Sequence, residues 1–106
     1  IGGGSTVEET DYEIFKQVMA VDTDSVFLGC KYAIPIMKNY SPGSIINTSS
    51  ISGLIAGHNM AAYNTAKAGV WMLTKSVAYI VQDLHTIFGV IQFIQLLLIH
   101  LYLMLW

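Results

Sequence analysis

Apolar residues recur at helical spacing in three stretches of the chain, which predicts two long helices, the first of which continues from the first stretch through the second. Before the first stretch, Thr6 and Glu9 have the spacing of a capping box, so Thr6 is the predicted N-cap. The second stretch covers 25–39, and Pro35 within it removes one backbone hydrogen bond and is expected to kink the helix. The third covers about 60–80. The apolar positions concerned are Phe15, Val18 and Met19; Phe27, Cys30, Ala33, Ile34 and Met37; and Val70, Trp71, Leu73 and Val77.

A short strand is predicted between the two long helices. The run Ser44-Ile-Ile-Asn-Thr is too short for a helix and rich in β-branched residues, which is typical of a buried strand. Ser41-Pro-Gly before it predicts a turn, and the Gly-, Ser- and Asn-containing stretch 51–59 after it predicts a loop. The alternation of helix, strand and helix indicates the α/β class.

Composition excludes several classes of function. At 106 residues the chain is one domain or a piece of one. Its net charge is −2, with five lysines and no arginine, so no basic surface for nucleic acid is predicted. The single cysteine, Cys30, excludes an internal disulfide and is interpreted as a small buried apolar residue. His58, His85 and His100 lack the spacing of metal ligands, so no metal site is predicted.

Ser50, Tyr63 and Lys67 are the residues that suggest chemistry. Residues four apart lie on one face of a helix, so Tyr63 and Lys67 are expected one turn apart. An ammonium group at that distance stabilises a phenolate, while a serine hydroxyl at a strand end holds the substrate oxygen during proton transfer. Taken singly, each motif more often has no catalytic role: a tyrosine on a helix usually packs against neighbouring side chains, and a serine-rich segment is usually a loop. Together they predict a carbonyl/alcohol redox site.

With these motifs in this order, the chain resembles the short-chain dehydrogenase/reductase family. The segment 1–4 resembles the one that follows the family's Asn-Ala-Gly turn, and 21–27 resembles its helix-four signature. The segment 43–50 is similar to its fifth strand, and 61–78 to its catalytic helix. The resemblance covers 1–78, which is interpreted as part of an NAD(P)-binding Rossmann domain, a piece of a doubly wound parallel sheet.

The resemblance implies interconversion of a secondary alcohol and a ketone with NAD or NADP as cofactor. Tyr63 would be the general acid/base and a substrate and cofactor contact, Lys67 would bind the nicotinamide ribose, and Ser50 would orient the substrate oxygen. The substrate would be a small molecule such as a steroid, sugar or cyclic alcohol. The family also implies a homo-oligomer paired through its two long helices, in the cytoplasm. His58 lies in the loop where the family shapes its substrate pocket, although a loop histidine is more often merely solvated.

The chain departs from the family pattern in two places. Asp22 stands where the family usually has asparagine in a proton relay, and an ionised carboxylate cannot donate as an amide does. Asp22 therefore either belongs to the catalytic set or only caps or breaks the helix locally. In addition, no Gly-x-x-x-Gly-x-Gly loop occurs in the sequence, and Gly2-Gly3-Gly4 is interpreted as a flexible loop. We therefore expect negligible catalysis and poor solubility from the chain alone.

The stretch 79–106 reads differently from the rest of the chain. No Asp, Glu, Lys or Arg occurs after Asp83, so 87–106 qualifies by length and hydropathy as a membrane-spanning helix. This favours an alternative function, a helix-pairing or membrane-anchored protein without enzymatic activity. A buried helix or strand pair is the soluble interpretation. A third hypothesis is a frameshift: with permitted codons, a shifted frame from Tyr79 gives Tyr-Cys-Ala-Arg-Ser-Thr-Tyr-Asn-Ile-Arg, which is similar to the family's continuation.

Overall fold

The computed structural model describes residues 4–40, 43–82 and 88–95. In chain order these residues form helix α1 (Tyr12–Met19), a π-helical segment (Ala20–Asp24), helix α2 (Ser25–Met37), strand β1 (Gly43–Ser50), a 3₁₀ turn (Ile51–Gly53), helix α3 (Ala61–Gln82) and strand β2 (Phe88–Gln95). The α/β class predicted from the sequence is confirmed.

Helix α1 begins later than the capping-box pattern predicts. Its N-cap is Asp11, whose Oδ1 accepts the Glu13 N–H at 2.7 Å. Thr6 Oγ1 does accept the Glu9 N–H at 3.3 Å, but this bond belongs to a single turn before the helix, so Thr6 as helix N-cap is wrong. The backbone N–H of Glu8, and after it the Thr6 hydroxyl, hold the pKa of the Glu8 carboxyl below its usual range.

The first two helices are one continuous helical run interrupted by the π segment. Such a segment carries an extra residue per turn and is frequent at functional sites. Here it seats Thr23 against α3, where Thr23 Oγ1 donates to the Ala66 carbonyl at 3.0 Å. Helix α2 ends at Met37, and the predicted continuation to 39 forms a turn in which the Asn39 N–H donates to Ile36 O at 3.1 Å.

Strands β1 and β2 are parallel neighbours, with Gly43 paired to Phe88 and Ser50 to Gln95. Helix α3 connects them, as parallel pairing requires a crossover. The membrane helix predicted over 87–106 is therefore wrong at 88–95, which form a strand; residue 87 and residues 96–106 lie outside the described residues. None of the helices in the described part of the chain is long and apolar enough to cross a membrane.

Two small apolar clusters hold the helices in place. Val18 on α1 packs with Ala62 and Ala66 on α3, and the partly buried Phe15 and Met19 adjoin them, which confirms the predicted stripe on α1. The second cluster joins α2, β1 and α3; its buried members are Cys30 and Val77, and Val26, Ile34, Ile45 and Leu73 pack against them.

The structure differs from the sequence prediction at two apolar side chains. Phe27 was placed with Cys30 on the apolar side of α2, but about half of it is exposed, with the Lys31 ammonium 6.0 Å from its ring centroid. Strand β1 was predicted to be buried, yet only one of its faces is covered: Ile45 packs against the helices whereas Ile46 is exposed. Both differences arise because the described helices lie against one face of the strand only.

Candidate active site

Tyr63 and Lys67 lie on the first two turns of α3, one turn apart. The Lys67 Nζ atom is 5.7 Å from the centroid of the Tyr63 ring, and both side chains are half-buried. The buried Ala62 and Ala66 sit next to them in sequence and pack against α1. The packing of these two alanines on α1 fixes the rotation of α3 about its axis. Tyr63 and Lys67 therefore lie side by side, next to the surface that α3 buries against α1.

Lys67 is tied to the carboxyl end of β1 through both its side chain and its backbone. Its ammonium donates to the Thr48 carbonyl at 3.3 Å. The Ser49 hydroxyl donates to the Lys67 carbonyl at 2.9 Å, and Ser49 is almost fully buried. The turn of α3 that carries the cation is therefore held against the last residues of the strand.

Ser50 is the last residue of β1, and only 1% of it is exposed. Its Oγ accepts the Ser52 N–H at 3.2 Å and so caps the 3₁₀ turn that follows. An oxygen held by a backbone donor keeps its own O–H proton for an acceptor. In the described part of the chain no hydrogen bond joins Ser50 to Tyr63; they are related through the contacts of Thr48 and Ser49 with Lys67.

Gly53 allows the 3₁₀ turn to lie directly on α3. A Cβ atom at this position would meet the Lys67 carbonyl oxygen at 2.7 Å and its carbonyl carbon at 2.9 Å. Those atoms are helix backbone and cannot move aside without displacing Lys67. The glycine at the end of Ser49-Ser-Ile-Ser-Gly53 is therefore a steric requirement of the site.

Asp22 lies in the π-helical segment and makes no direct contact with the other three residues among the described hydrogen bonds. Its Oδ2 atom is buried and has no hydrogen-bond partner within the described ranges. The adjacent Thr23 bonds to Ala66, so the segment packs on the turn of α3 that leads into Lys67. The π segment agrees with the interpretation that Asp22 breaks the helix, and the unpaired oxygen agrees with a place in a polar relay; its catalytic role stays a prediction.

Sequence reasoning missed the contact between Asn64 and the loop. Asn64 follows Tyr63 in the chain, and its side-chain amide makes two hydrogen bonds with the Gly57 backbone. The available signal was an asparagine in the first turn of a helix, a residue type that commonly bonds to nearby backbone. His58, in the same loop, is exposed, which agrees with its solvated interpretation.

A surface groove of about 300 Å³ lies elsewhere, between α1 and α3. It is lined by Val7, Thr10, Tyr12, Phe15, Ala61 and Thr65, and none of the four predicted site residues lines it. The chemistry favours the end of β1, where a serine hydroxyl, a phenol and an ammonium group lie on two packed elements, whereas the described lining of the groove carries the hydroxyls of Thr10, Tyr12 and Thr65 but no ammonium group. We therefore place the candidate site at the end of β1.

Comparison with known proteins identifies relatives of this chain. A family model described as enoyl-(acyl carrier protein) reductase matches residues 2–86. Among curated proteins, trans-4-hydroxycyclohexanecarboxylate dehydrogenase of Sinomonas cyclohexanicum is 47% identical over 73 residues, 69% of this chain and 28% of that protein. The NADP-dependent (R)-specific alcohol dehydrogenase of Lentilactobacillus kefiri is 39% identical over 79 residues, 74% of this chain and 31% of that protein.

Solved structures are also similar to this chain. A short-chain dehydrogenase/reductase from Burkholderia phymatum, in complex with NAD, superposes with a TM-score of 0.84 at 25% identity, covering 89% of this chain and 34% of that one. This chain spans between 27% and 31% of the length of the curated relatives it matches.

Proposed function

The chain belongs to the short-chain dehydrogenase/reductase family, and we propose that its site takes part in the NAD(P)-dependent interconversion of a secondary alcohol and a ketone. The observation that carries the proposal is the Lys67 ammonium held 5.7 Å from the Tyr63 ring and bonded to the end of β1, beside Ser50. Proton transfer at a carbonyl oxygen needs a hydroxyl, a phenol and a cation, and the chain carries the buried hydroxyl at the end of the strand and the phenol and the cation on the helix that follows.

Each residue has a separate task in the proposed reaction. In the direction of reduction, the Tyr63 hydroxyl donates its proton to the substrate oxygen as that oxygen becomes an alcohol; in oxidation it accepts the proton. Lys67 stabilises the phenolate that proton transfer leaves behind. Ser50 donates its O–H to the same substrate oxygen and orients the carbonyl, because its Oγ is already held by the Ser52 N–H. Lys67 and Tyr63 would hold the nicotinamide ribose of NAD or NADP, which when bound would supply the hydride chemistry of the reaction.

The residues present fit the nicotinamide end of NAD or NADP. An ammonium group has three N–H donors, and the Thr48 carbonyl is the one described hydrogen-bond acceptor of Lys67, so donors remain for ribose hydroxyls. Lys67 and Tyr63 lie by the carboxyl end of β1, the edge at which ligands bind in open parallel sheets. For the phosphates the sequence offers no Gly-x-x-x-Gly-x-Gly loop, which is why we expect the chain alone to turn over negligibly.

Substrate, assembly and location follow from the relatives as proposals. Two matched relatives are named for alcohols, a hydroxycyclohexane carboxylate and an (R)-specific alcohol, which supports a small secondary alcohol or its ketone. A homo-oligomer paired through the long helices is supported by the exposed apolar residues of α2, including Tyr32 and Ile36. A cytoplasmic location is proposed from the family alone.

A chimera tests the catalytic proposal. Residues 4–78 of this chain would replace the corresponding segment of the L. kefiri alcohol dehydrogenase, and NADPH oxidation with a ketone would be measured. We expect turnover that falls by about 10²- to 10⁴-fold in Tyr63→Phe, the usual contribution of a positioned acid. Tyr32→Phe, an exposed tyrosine on α2, is the matched control and should leave turnover unchanged. If the chimera folds and binds NADPH but Tyr63→Phe leaves its turnover unchanged, Tyr63 is not the general acid/base.

The chain by itself provides the second arm of this test. Assayed with NADPH and the same ketone, it is expected to show no turnover above its own Tyr63→Phe variant. A rate clearly above that variant would contradict the expectation that the phosphate-binding loop is indispensable.

A further inference from the structure

The loop between β1 and α3 is fastened to the catalytic helix by one side chain. The Gly57 N–H donates to Asn64 Oδ1 at 3.1 Å, and Asn64 Nδ2 donates to the Gly57 carbonyl at 2.9 Å. Both polar groups of the amide thus bond to the backbone of the same residue. A reciprocal pair of this kind fixes distance and orientation together, whereas a single bond leaves the loop free to pivot.

The position of Asn64 explains why this bond pair matters for the site. Helix α3 begins at Ala61, so Tyr63 and Asn64 lie in its first turn, at an end where helices fray, and the Asn64 N–H makes the first bond of the helix, to the Met60 carbonyl at 2.8 Å. Lys67 lies one turn further in and is already bound to β1 through Ser49 and Thr48. Among the described hydrogen bonds Tyr63 has no such bond to β1; its turn is held by the packing of Ala62 on Val18 and by the bonds of Asn64 to the loop.

The loop contacts α3 at two points, one at Lys67 and one at Asn64, the neighbour of Tyr63. Gly53 packs on the Lys67 carbonyl, and Gly57 is bonded to Asn64. Between these anchors lie Leu54 and Ile55, which are largely exposed. The Leu54 and Ile55 N–H groups also bond to the Ile51 carbonyl, so loss of the Gly57 anchor would loosen the loop after Ile55 and remove one of the two contacts that hold the first turn of α3, while the Lys67 end stayed fixed.

We propose that Asn64 is a positioning residue of the Tyr63 site: its amide clamps Gly57 and thereby holds the first turn of α3, and with it the Tyr63 ring, at its distance from Lys67. This inference rests on the proposed function for its meaning in catalysis. The clamp itself is a property of the ligand-free chain and is tested there, so a redox assignment that failed in the chimera would leave the outcome of this test unaffected.

The experiment uses the full chain and two NMR readouts. The first is hydrogen exchange of the Gly57 amide, which should be about 10-fold faster in Asn64→Ala because a buried partner is lost. The second is the ring-current displacement of the Lys67 ε-methylene resonance caused by the Tyr63 ring, which should shrink in Asn64→Ala. Asn64→Asp keeps the acceptor for the Gly57 N–H but loses the donor to the Gly57 carbonyl, so Gly57 exchange should stay slow while the Lys67 displacement shrinks part of the way.

Thr65→Ala is the matched control. It removes a side-chain hydrogen bond from the same turn, between Thr65 Oγ1 and the Ala61 carbonyl, without touching the loop. We expect both readouts to stay at their wild-type values. The proposal is overturned if Gly57 exchange is unchanged in Asn64→Ala, or if Thr65→Ala moves the Lys67 resonance as far. Should Asn64→Ala fail to fold, Asn64→Asp decides: fast Gly57 exchange in that variant counts against the clamp, and slow exchange supports it.

Discussion

At the scale of single residues, the proposed site would assign proton transfer and charge stabilisation to different side chains. Tyr63 carries the exchangeable proton of the proposed reaction, and Lys67 supplies the positive charge while its backbone and ammonium hold it to β1. Because the ammonium has this second, structural partner, its removal should affect both the charge and the placement of the helix turn.

Lys67→Met should lower turnover in the chimera by about 10²-fold or more, since the phenolate loses its nearest cation. Lys75→Met is the control: Lys75 lies on the same helix with its ammonium 5.1 Å from the Trp71 ring centroid, away from the site. Initial rates with NADPH and a ketone provide the measurement. If Lys67→Met and Lys75→Met lowered turnover equally, the effect would come from removing any lysine of α3 and not from the cation next to Tyr63.

Asp22→Asn should raise the free energy of unfolding by about 1 kcal/mol at neutral pH, because a buried carboxylate oxygen without a partner is costly and an amide is uncharged. Asp24→Asn, an exposed neighbour in the same π segment, removes the same charge and should change stability little. Urea unfolding of the chain measures both. A loss of stability in Asp22→Asn would indicate that the carboxylate has a stabilising partner in solution.

At the scale of elements, close contact between the 3₁₀ turn and α3 should be the sterically strictest part of the site. Gly53→Ala would place a Cβ 2.7 Å from the Lys67 carbonyl oxygen and is expected to cost about 1–3 kcal/mol of unfolding free energy. Gly29→Ala, in α2 with open space around it, should instead stabilise by about 0.5–1 kcal/mol. Urea titrations compare the two; similar effects of both would contradict the steric account.

A buried polar cluster joins α2, β1 and α3. Asn47 Nδ2 donates to Thr74 Oγ1 at 3.0 Å, and Cys30 Sγ lies 3.8 Å from the same nitrogen. Asn47→Ala should therefore destabilise the chain by about 2 kcal/mol, since it leaves a cavity and removes a buried bond. Ile46→Ala, on the uncovered face of β1, should cost far less. Thermal unfolding distinguishes these outcomes, and a larger loss in Ile46→Ala would refute the expectation.

The sequence was informative about elements wherever periodicity and packing coincide. The stripe of Phe15, Val18 and Met19 and the burial of Cys30 are both found in the structure. The helix start was missed because Thr6 bonds within a turn of its own, and the π segment has no distinct hydrophobic period to reveal it. In the site, spacing alone placed Tyr63 and Lys67 together.

Other site contacts depend on tertiary packing rather than on spacing. The contact of Gly53 with Lys67 and the bonds between Asn64 and Gly57 appear only when the loop is folded back onto α3. No local pattern specifies that approach, because its partners lie in different elements.

At the scale of the whole molecule, apolar surface remains exposed on two sides. Ile46 lies on the uncovered face of β1, and Tyr32 and Ile36 lie on the outer side of α2, each more than 60% exposed. Patches of this kind favour association in water. They agree with the expectation of poor solubility and with the proposed pairing of helices.

Replacing Tyr32 and Ile36 together by lysine should lower the average mass of the chain in solution, because two apolar contacts become charged. Glu8→Gln with Glu9→Gln is the matched control, as it changes net charge by the same amount on an exposed turn. Light scattering across a concentration series measures association. If the control dissociates the chain as well, net charge and not the α2 surface governs assembly.

The frameshift hypothesis for 79–106 stays a prediction. It concerns the gene, and the nucleotide sequence decides it: the alternative frame should encode Asn-Ile-Arg in the family's position. A genomic sequence without that alternative reading would exclude the hypothesis.

The parallel register of the two strands has a topological consequence. Because Ser50 pairs with Gln95, both strands terminate at one rim of the sheet, so the polypeptide departs from β2 at the level where the serine hydroxyl is presented. A tag, label or fusion partner attached immediately after Gln95 would be introduced next to the reactive groups. Probes meant to leave the chemistry undisturbed belong at the opposite rim, near Gly43 and Phe88.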